Sequence, residues 1–193
     1  MHSKAISKIE RRKSTQLQRS RTMTDRQGHI TVEGEFATLE FERLLPYPPE
    51  AVWEAITEPD QLSDWYMTKA QIDGRVGGRV EFWTGPTQVH VTGSILAWDP
   101  PRLFEHEWLV ETRPDFPKGE RATVRWEIIP EKGEASVLRL THRHLSRRTA
   151  QTFAPGAHAF LEMLDAYLSK RPIPDWMSRV VELRPSYQET NKR

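Results

Sequence analysis

The chain has 193 residues, 37% of them hydrophobic, and no cysteine. This length suits one domain with tails and can bury a core that contains a ligand cavity. The absence of cysteine excludes disulfides, thiolate metal sites and a cysteine nucleophile, and it fits the reducing cytoplasm. No apolar run reaches the roughly 18 residues that a membrane span requires.

The N-terminal segment is basic and the remainder is acidic. Residues 1–27 have a net charge of +6, and the total of +1 leaves −5 for the rest. Residues 1–28 lack aromatic residues and a sustained apolar period, so we predict a disordered tail. Three roles are open for it: contact with nucleic acid or anionic lipid, a transit peptide, or a passive stretch upstream of a true start at Met23. The passive role is favoured, so no nucleic-acid partner is expected.

The domain is expected to span residues 29–171 and to begin with a strand and two short helices. Residues 35–45 alternate between apolar and polar, which is typical of a half-buried strand. A helix that has proline in its first turn follows and ends at Thr57–Pro59. The second helix runs to about Trp65.

Strands dominate the middle of the chain. A short strand near Gly74 is followed by five predicted strands, at 79–83, 87–98, 102–110, 121–129 and 135–144. Gly93 predicts a bulge or bend in the second of these five. Because consecutive strands joined by short turns usually pair with each other, we predict an antiparallel meander.

The last main element is a helix over about 149–170. Its apolar stripe is Ala157, Phe160, Leu161, Leu164 and Leu168. Pro155 is expected to kink the helix, and residues 172–193 form a C-terminal extension with a short terminal turn. The whole predicts an α+β fold in which a curved sheet wraps around the long helix and leaves a gap that could hold a ligand.

Five stretches in order carry a family resemblance. They are PPEAVWEAITEPDQLSDWY at 48–66, VGGRVEF at 76–82, GSILAWDPPRLFEHEW at 93–108, LRLTHRHL at 138–145 and GAHAFLEMLDAYL at 156–168. The chain resembles the START-like SRPBCC superfamily and, within it, the group named after the activator of the heat-shock-protein-90 ATPase. This resemblance implies the helix-grip fold. It also implies a hydrophobic ligand or a chaperone partner, and a link to the stress response. Family members often have Trp where this chain has Ala157, which would reshape the pocket.

Nine side chains are candidates for a ligand-binding site: Trp65, Phe82, Phe104, His106, Trp108, Trp126, His142, Phe160 and Leu164. The strand residues among them share the inward parity, and Phe160 and Leu164 lie on the helix stripe. The aromatic rings would offer stacking surfaces to a flat apolar ligand. The alternative for each of these rings is ordinary core packing.

Two inward histidines could form a metal site, but the expected strand order argues against one. In a meander, His106 and His142 lie two strand spacings apart, about 10 Å. Zinc–nitrogen bonds measure about 2.0 Å, so the two rings cannot share an ion. His144 should continue the same face as His142. We therefore expect no metal and no cofactor, and the histidines are either satisfied core residues or polar anchors for a ligand oxygen.

No catalytic residue is assigned. Glu105, Glu107 and Glu127 have outward parity and are expected to form a solvated face with Arg125 and Arg139. We predict a soluble, cytoplasmic, non-catalytic or weakly catalytic domain that binds a small hydrophobic or aromatic molecule. Chaperone interaction is the first alternative, and a polyketide cyclase-like or hydrolase-like enzyme using His106 or His142 is the second. Chaperone interaction would require an exposed apolar patch. An enzyme would require a titratable side chain in the cavity whose pKa is shifted by a neighbouring residue.

Overall fold

The computed structural model describes residues 27–84 and 87–189. The described residues form eight strands, β1 His29–Glu33, β2 Phe36–Leu45, β3 Thr68–Ile72, β4 Arg79–Thr84, β5 His90–Asp99, β6 Leu103–Val110, β7 Glu120–Glu131 and β8 Ala135–Ser146. They also form four helices, α1 Pro49–Thr57, α2 Pro59–Tyr66, α3 Arg147–Leu168 and α4 Trp176–Glu189. No helix among these residues is long and apolar enough to cross a membrane. The predicted tail at 1–28 lies outside the described residues, apart from Gln27 and Gly28.

The strands form one antiparallel sheet in the order β1-β2-β8-β7-β6-β5-β4-β3. Strands β3 to β8 are a meander, as predicted, and the α+β helix-grip fold is confirmed. The sequence reasoning missed β1. Its sequence HITVE alternates, but it has only two apolar residues, Ile30 and Val32, which is too short a pattern to identify a strand.

The long helix α3 crosses the inner face of the sheet, and its start is fixed by hydrogen bonds. The Ser146 side chain accepts from the Thr149 N–H at the N-cap. The buried Glu120 carboxylate, at the start of β7, accepts from the Ser146 N–H at 2.8 Å and from the Thr149 hydroxyl. These bonds place the helix N-terminus against the edge of the central strands.

The side of α3 that faces the sheet changes size along the helix. Its first half contributes small buried residues, Ala150, Ala154 and Gly156. Its second half contributes Leu161 and Leu164, whose side chains expose at most 2% of their surface. The large, fully buried apolar side chains of α3 therefore lie in its second half.

Two strand irregularities decide which side chains face inward. A register shift in β8 accompanies the left-handed backbone of His144, whose φ is 60°. The prediction that His144 continues the inward face of His142 is therefore wrong, because the extra residue turns His144 out to contact exposed Phe36. In β5 the shift lies between Ile95 and Ala97, two residues beyond Gly93.

Gly93 has a different reason to be glycine. A Cβ at this position would lie 2.3 Å from the Glu107 carbonyl oxygen on β6. The two backbones therefore approach too closely for any side chain at residue 93.

The C-terminal extension contains a helix where only a short turn was expected. In α4 the Trp176 indole N–H donates to the Gly156 carbonyl at 3.2 Å. Near the other end of α4 the buried Tyr187 hydroxyl accepts from the Gly28 N–H at 2.8 Å. Between them, Arg179 forms an ion pair with Glu162 on α3 at 2.7 Å. The contacts with Gly156 and Glu162 hold α4 along α3, and the Gly28 bond ties its far end to the residue before β1.

Candidate functional site

A cavity of about 330 Å³ lies between the inner face of the sheet and the middle of α3. Helix α2 closes one side and α4 closes the outer side. Ligand sites in proteins typically start at about 300 Å³, so the cavity is large enough for a small organic molecule. The small lining residues of α3, Gly156 and Ala157, leave room for it beside the central strands.

Aromatic rings form a large part of the cavity wall. Phe82, Phe104, Trp108 and Trp126 come from the sheet, and Phe153 and Phe160 come from α3. Trp108, Trp126, Phe153 and Phe160 are only partly buried, although they lie on the inward face. A packed core would cover such rings on both sides, so their residual exposure reflects open space next to them.

Seven of the nine predicted site residues line this cavity: Phe82, Phe104, His106, Trp108, Trp126, His142 and Phe160. The other two, Trp65 and Leu164, do not. Trp65 is buried below α1, where its indole N–H donates to the Ala55 carbonyl at 2.8 Å. Leu164 is fully buried in the packed region. The ligand-binding role of all nine residues stays a prediction.

The sequence reasoning missed several lining residues, of which Tyr66, Phe153 and Trp176 are the largest. Tyr66 lies four residues after Leu62, so helical spacing could have identified it. Phe153 extends the apolar stripe of α3 by one turn before Ala157. Trp176 offered no local signal, because it lies on α4, and only the docking of α4 brings it within 5.2 Å of the Phe160 ring centre.

The two inward histidines occupy one row across the sheet. His106 on β6 pairs with Val124 on β7, and Val124 pairs with His142 on β8. Strand β7 therefore separates the two rings, as predicted. No group of three or more potential metal ligands occurs among residues 27–84 and 87–189.

His106 is a neutral ring with a fixed tautomer. Its Nδ1 lies 2.7 Å from the Glu107 carbonyl oxygen, which can only accept, so Nδ1 carries the proton and donates. The bare Nε2 can then only accept a hydrogen bond. Burial lowers the pKa of His106 to about 4, because the apolar surroundings disfavour the charged ring. Phe82 and Phe104 both pack against the ring, with centroids at 5.4 and 4.9 Å.

His142 is also neutral, and it has an unused polar atom. Burial, with a smaller contribution from the neighbouring His106, lowers its pKa to about 3. Its Nε2 is buried and has no hydrogen-bond partner among the described residues. Trp108 contacts the ring edge-on, with centroids 5.1 Å apart. Leaving a buried polar atom unsatisfied costs about 1–3 kcal/mol, so His142 is suited to gain a partner from a bound molecule.

Exposed polar residues lie at the outer end of the cavity. Thr87, Thr152 and Arg184 belong to the lining and are exposed to solvent, whereas His106 and His142 are buried. The cavity therefore has a buried end with neutral histidines and an open end with polar side chains. Burial also raises the pKa of Tyr66 to about 12, so this lining phenol stays protonated.

The predicted carboxylates lie on the other side of the sheet. Arg125 forms ion pairs with Glu105 at 2.6 Å and with Glu127 at 3.0 Å. Arg139 pairs with Glu42 on β2 at 2.6 Å. No carboxylate belongs to the described lining of the cavity, so neither histidine has an acidic partner there that would orient it for acid–base catalysis.

Comparison with known proteins identifies the family of this fold. Residues 46–169 match the model of a family described as "Activator of Hsp90 ATPase homolog 1-like protein". This match covers α1 to α3 and the strands between them, but neither β1 nor α4. No curated protein matches the chain significantly.

Solved structures share the fold over most of the chain. CalU16 from Micromonospora echinospora is 23% identical, with a TM-score of 0.62 over 84% of this chain and 93% of its own. A Bordetella parapertussis protein is 25% identical, with a TM-score of 0.61 over 83% of this chain and 89% of its own. A Mesorhizobium loti protein is 24% identical, with a TM-score of 0.61 over 70% of this chain and 98% of its own.

Proposed function

This chain belongs to the family of Activator of Hsp90 ATPase homolog 1-like proteins, and we propose that it binds a small hydrophobic or aromatic molecule in the cavity beside α3. The observation that supports this function is the aromatic wall, whose inward rings keep exposed surface next to an opening of about 330 Å³. Burying that surface against a ligand is favourable by about 25 cal/mol for each Å².

The histidines would orient the ligand. His106 Nε2 accepts a hydrogen bond, so it matches a hydroxyl or amine N–H on the ligand. His142 can donate or accept, depending on its tautomer. Both rings are neutral at pH 7, so the buried end would take an uncharged polar group.

The first experiment measures binding of a neutral apolar probe. N-phenyl-1-naphthylamine, a two-ring amine with an additional phenyl group, should quench the fluorescence of Trp108 and Trp126 as it binds. We expect saturable binding with one site per chain. Failure of this probe and of larger and smaller aromatic compounds to quench would contradict the proposal.

A pair of matched variants tests where the probe binds. Ala157→Leu places a larger side chain in the cavity, whereas Gln151→Leu places the same side chain on the exposed side of α3. We expect Ala157→Leu to weaken probe binding at least several-fold and Gln151→Leu to leave it unchanged. Equal affinities for the two variants would mean that the probe binds outside the cavity.

Chaperone interaction is the second candidate, and the family description favours it. This function would require an exposed apolar surface. On the outer face of β2, exposed Phe36 and Leu44 are separated by Glu40 and Glu42, which gives no continuous apolar patch there. Stimulation of Hsp90 ATPase activity by the purified chain would support this candidate. If the stimulation is independent of the cavity, the Ala157→Leu variant should stimulate the ATPase as well as the native chain does.

A further inference from the structure

The cavity mouth is formed by α4, a helix that the family match does not include. Trp176, Met177, Val180 and Arg184 all belong to the lining. Their spacing places them on one face of α4, one turn after another. The stacking of Trp176 on Phe160 and the close approach of α4 at Gly156 hold this face against the opening. A Cβ at Gly156 would lie 3.1 Å from the Trp176 ring.

Arg184 is the one side chain in the described lining that is charged at neutral pH. It is exposed, so its guanidinium keeps contact with water while it lies at the edge of an apolar cavity. A cation in this position can pair with an anion that remains partly hydrated. Such a pair avoids the desolvation cost that a buried ion pair carries.

The arginines of this helix differ in their partners. Arg179 pairs with Glu162 and with Glu182, so its charge is already neutralised within the fold. Arg184 forms no ion pair or side-chain hydrogen bond with the described residues. Its guanidinium therefore has its donors available for a ligand.

The buried end of the cavity cannot accept a charge. His106 and His142 are neutral there, and no Lys, Arg or metal site lies among the described lining residues at that end. A carboxylate or sulfonate placed there would lose its hydration without gaining a counter-charge. An anionic group on a bound molecule would thus lie at the mouth, beside Arg184.

We propose that the ligand is an amphipathic anion, whose apolar rings fill the cavity and whose carboxylate, sulfate or sulfonate pairs with Arg184 on α4. This inference rests on the proposed binding function and names its ligand class. Arginine suits this role because its planar guanidinium can bind two oxygens of one acid group. Thr87 and Thr152, which also line the cavity and are exposed, can add neutral hydrogen bonds.

Two probes that differ in one group test the charge. 8-Anilino-1-naphthalenesulfonate is N-phenyl-1-naphthylamine with an added sulfonate, so both should occupy the same cavity. We expect Arg184→Gln to weaken binding of the anionic probe about three- to tenfold and to change binding of the neutral probe less than twofold. Arg184→Lys should retain most of the affinity for the anionic probe, because it keeps the charge.

A control and a salt titration complete the experiment. Arg148→Gln removes an exposed arginine of α3 that does not line the cavity, and we expect it to leave both affinities unchanged. Raising the salt concentration should weaken binding of the anionic probe to the native chain more than its binding to Arg184→Gln. Thermal melting would show that each variant is folded.

The outcomes separate the two proposals. If Arg184→Gln weakens binding of the anionic probe but not of the neutral probe, the result supports an anionic ligand group paired with Arg184 at the mouth. If the neutral probe binds but Arg184→Gln affects both probes equally or neither, the amphipathic anion is overturned and the cavity function stands. Binding of neither probe to the native chain overturns both proposals.

Discussion

The space between sheet and helix has a packed end and a hollow end, although both are made from inward apolar residues. The packed end contains four side chains that expose at most 2% of their surface: Leu45, Ile128, Leu138 and Leu164. At the hollow end, residues of the same inward parity, such as Trp126, keep exposed surface beside the cavity. On α3, Leu164 belongs to the packed end, whereas the small residues Gly156 and Ala157 border the cavity. Apolar patterning therefore determines which face is inward, and side-chain volume determines whether that face is filled.

The strongest test of the packed end is Leu164→Ala. We expect it to reduce the free energy of unfolding by about 2–5 kcal/mol, because it removes buried methyl groups and leaves a void among residues that are already close-packed. Chemical denaturation followed by circular dichroism measures this. A loss below about 1 kcal/mol would mean that the two ends do not differ in packing.

At the hollow end, Phe160→Ala should cost less than the roughly 3–5 kcal/mol of a fully packed phenylalanine, because one side of the ring faces the cavity. The ring also contacts Tyr66 and Trp176, with centroids at 4.2 and 5.2 Å, so some cost remains. Affinity for N-phenyl-1-naphthylamine should change at least several-fold. A full core penalty combined with unchanged probe affinity would show that the space around Phe160 is packed.

The hollow end should also make the protein sensitive to acid. His106 and His142 have pKa values lowered by burial to about 4 and about 3, against 6.5 for an ordinary histidine. Below pH 6.5 the unfolded chain therefore binds protons that the folded chain does not, so stability falls as the pH is lowered towards these folded-state values. The slope is about 1 kcal/mol per pH unit for each histidine.

The matched variant for this pH dependence is His142→Gln, which keeps a neutral polar group and removes the titration. We expect a shallower loss of stability between pH 6.5 and 4.5 than in the native chain, measured by denaturation at a series of pH values. Identical pH profiles would show that His142 is not held neutral by burial.

The smallest effect is expected for zinc. His106 and His142 belong to one row, but β7 lies between them, and the described residues contain no group of three potential ligands. One equivalent of zinc, or a chelator, should leave the melting temperature unchanged within experimental error. A stabilising shift at one equivalent would reveal a site that joins the histidines.

Much of the hollow end could be predicted from the sequence. Strand alternation placed Phe104, His106, Trp108 and Trp126 on the inward face, and all four line the cavity. The histidine spacing across β7 also followed from the meander. His144 could not be placed by alternation, because a single bulge residue reverses the side to which the following residue points.

The sequence by itself determined the inward faces of sheet and helix, because these depend on periodicities within single elements. It also determined the fold class and the order of the strands from β3 to β8, because these follow from the order of the elements and the short turns between them. Only the tertiary structure decided that Leu164 is packed while Phe160 borders a cavity, and that α4 brings Trp176 and Arg184 to its mouth. Periodicity shows that a residue is buried, but not whether it meets atoms or open space. That depends on the volumes and docking of side chains from elements far apart in the chain.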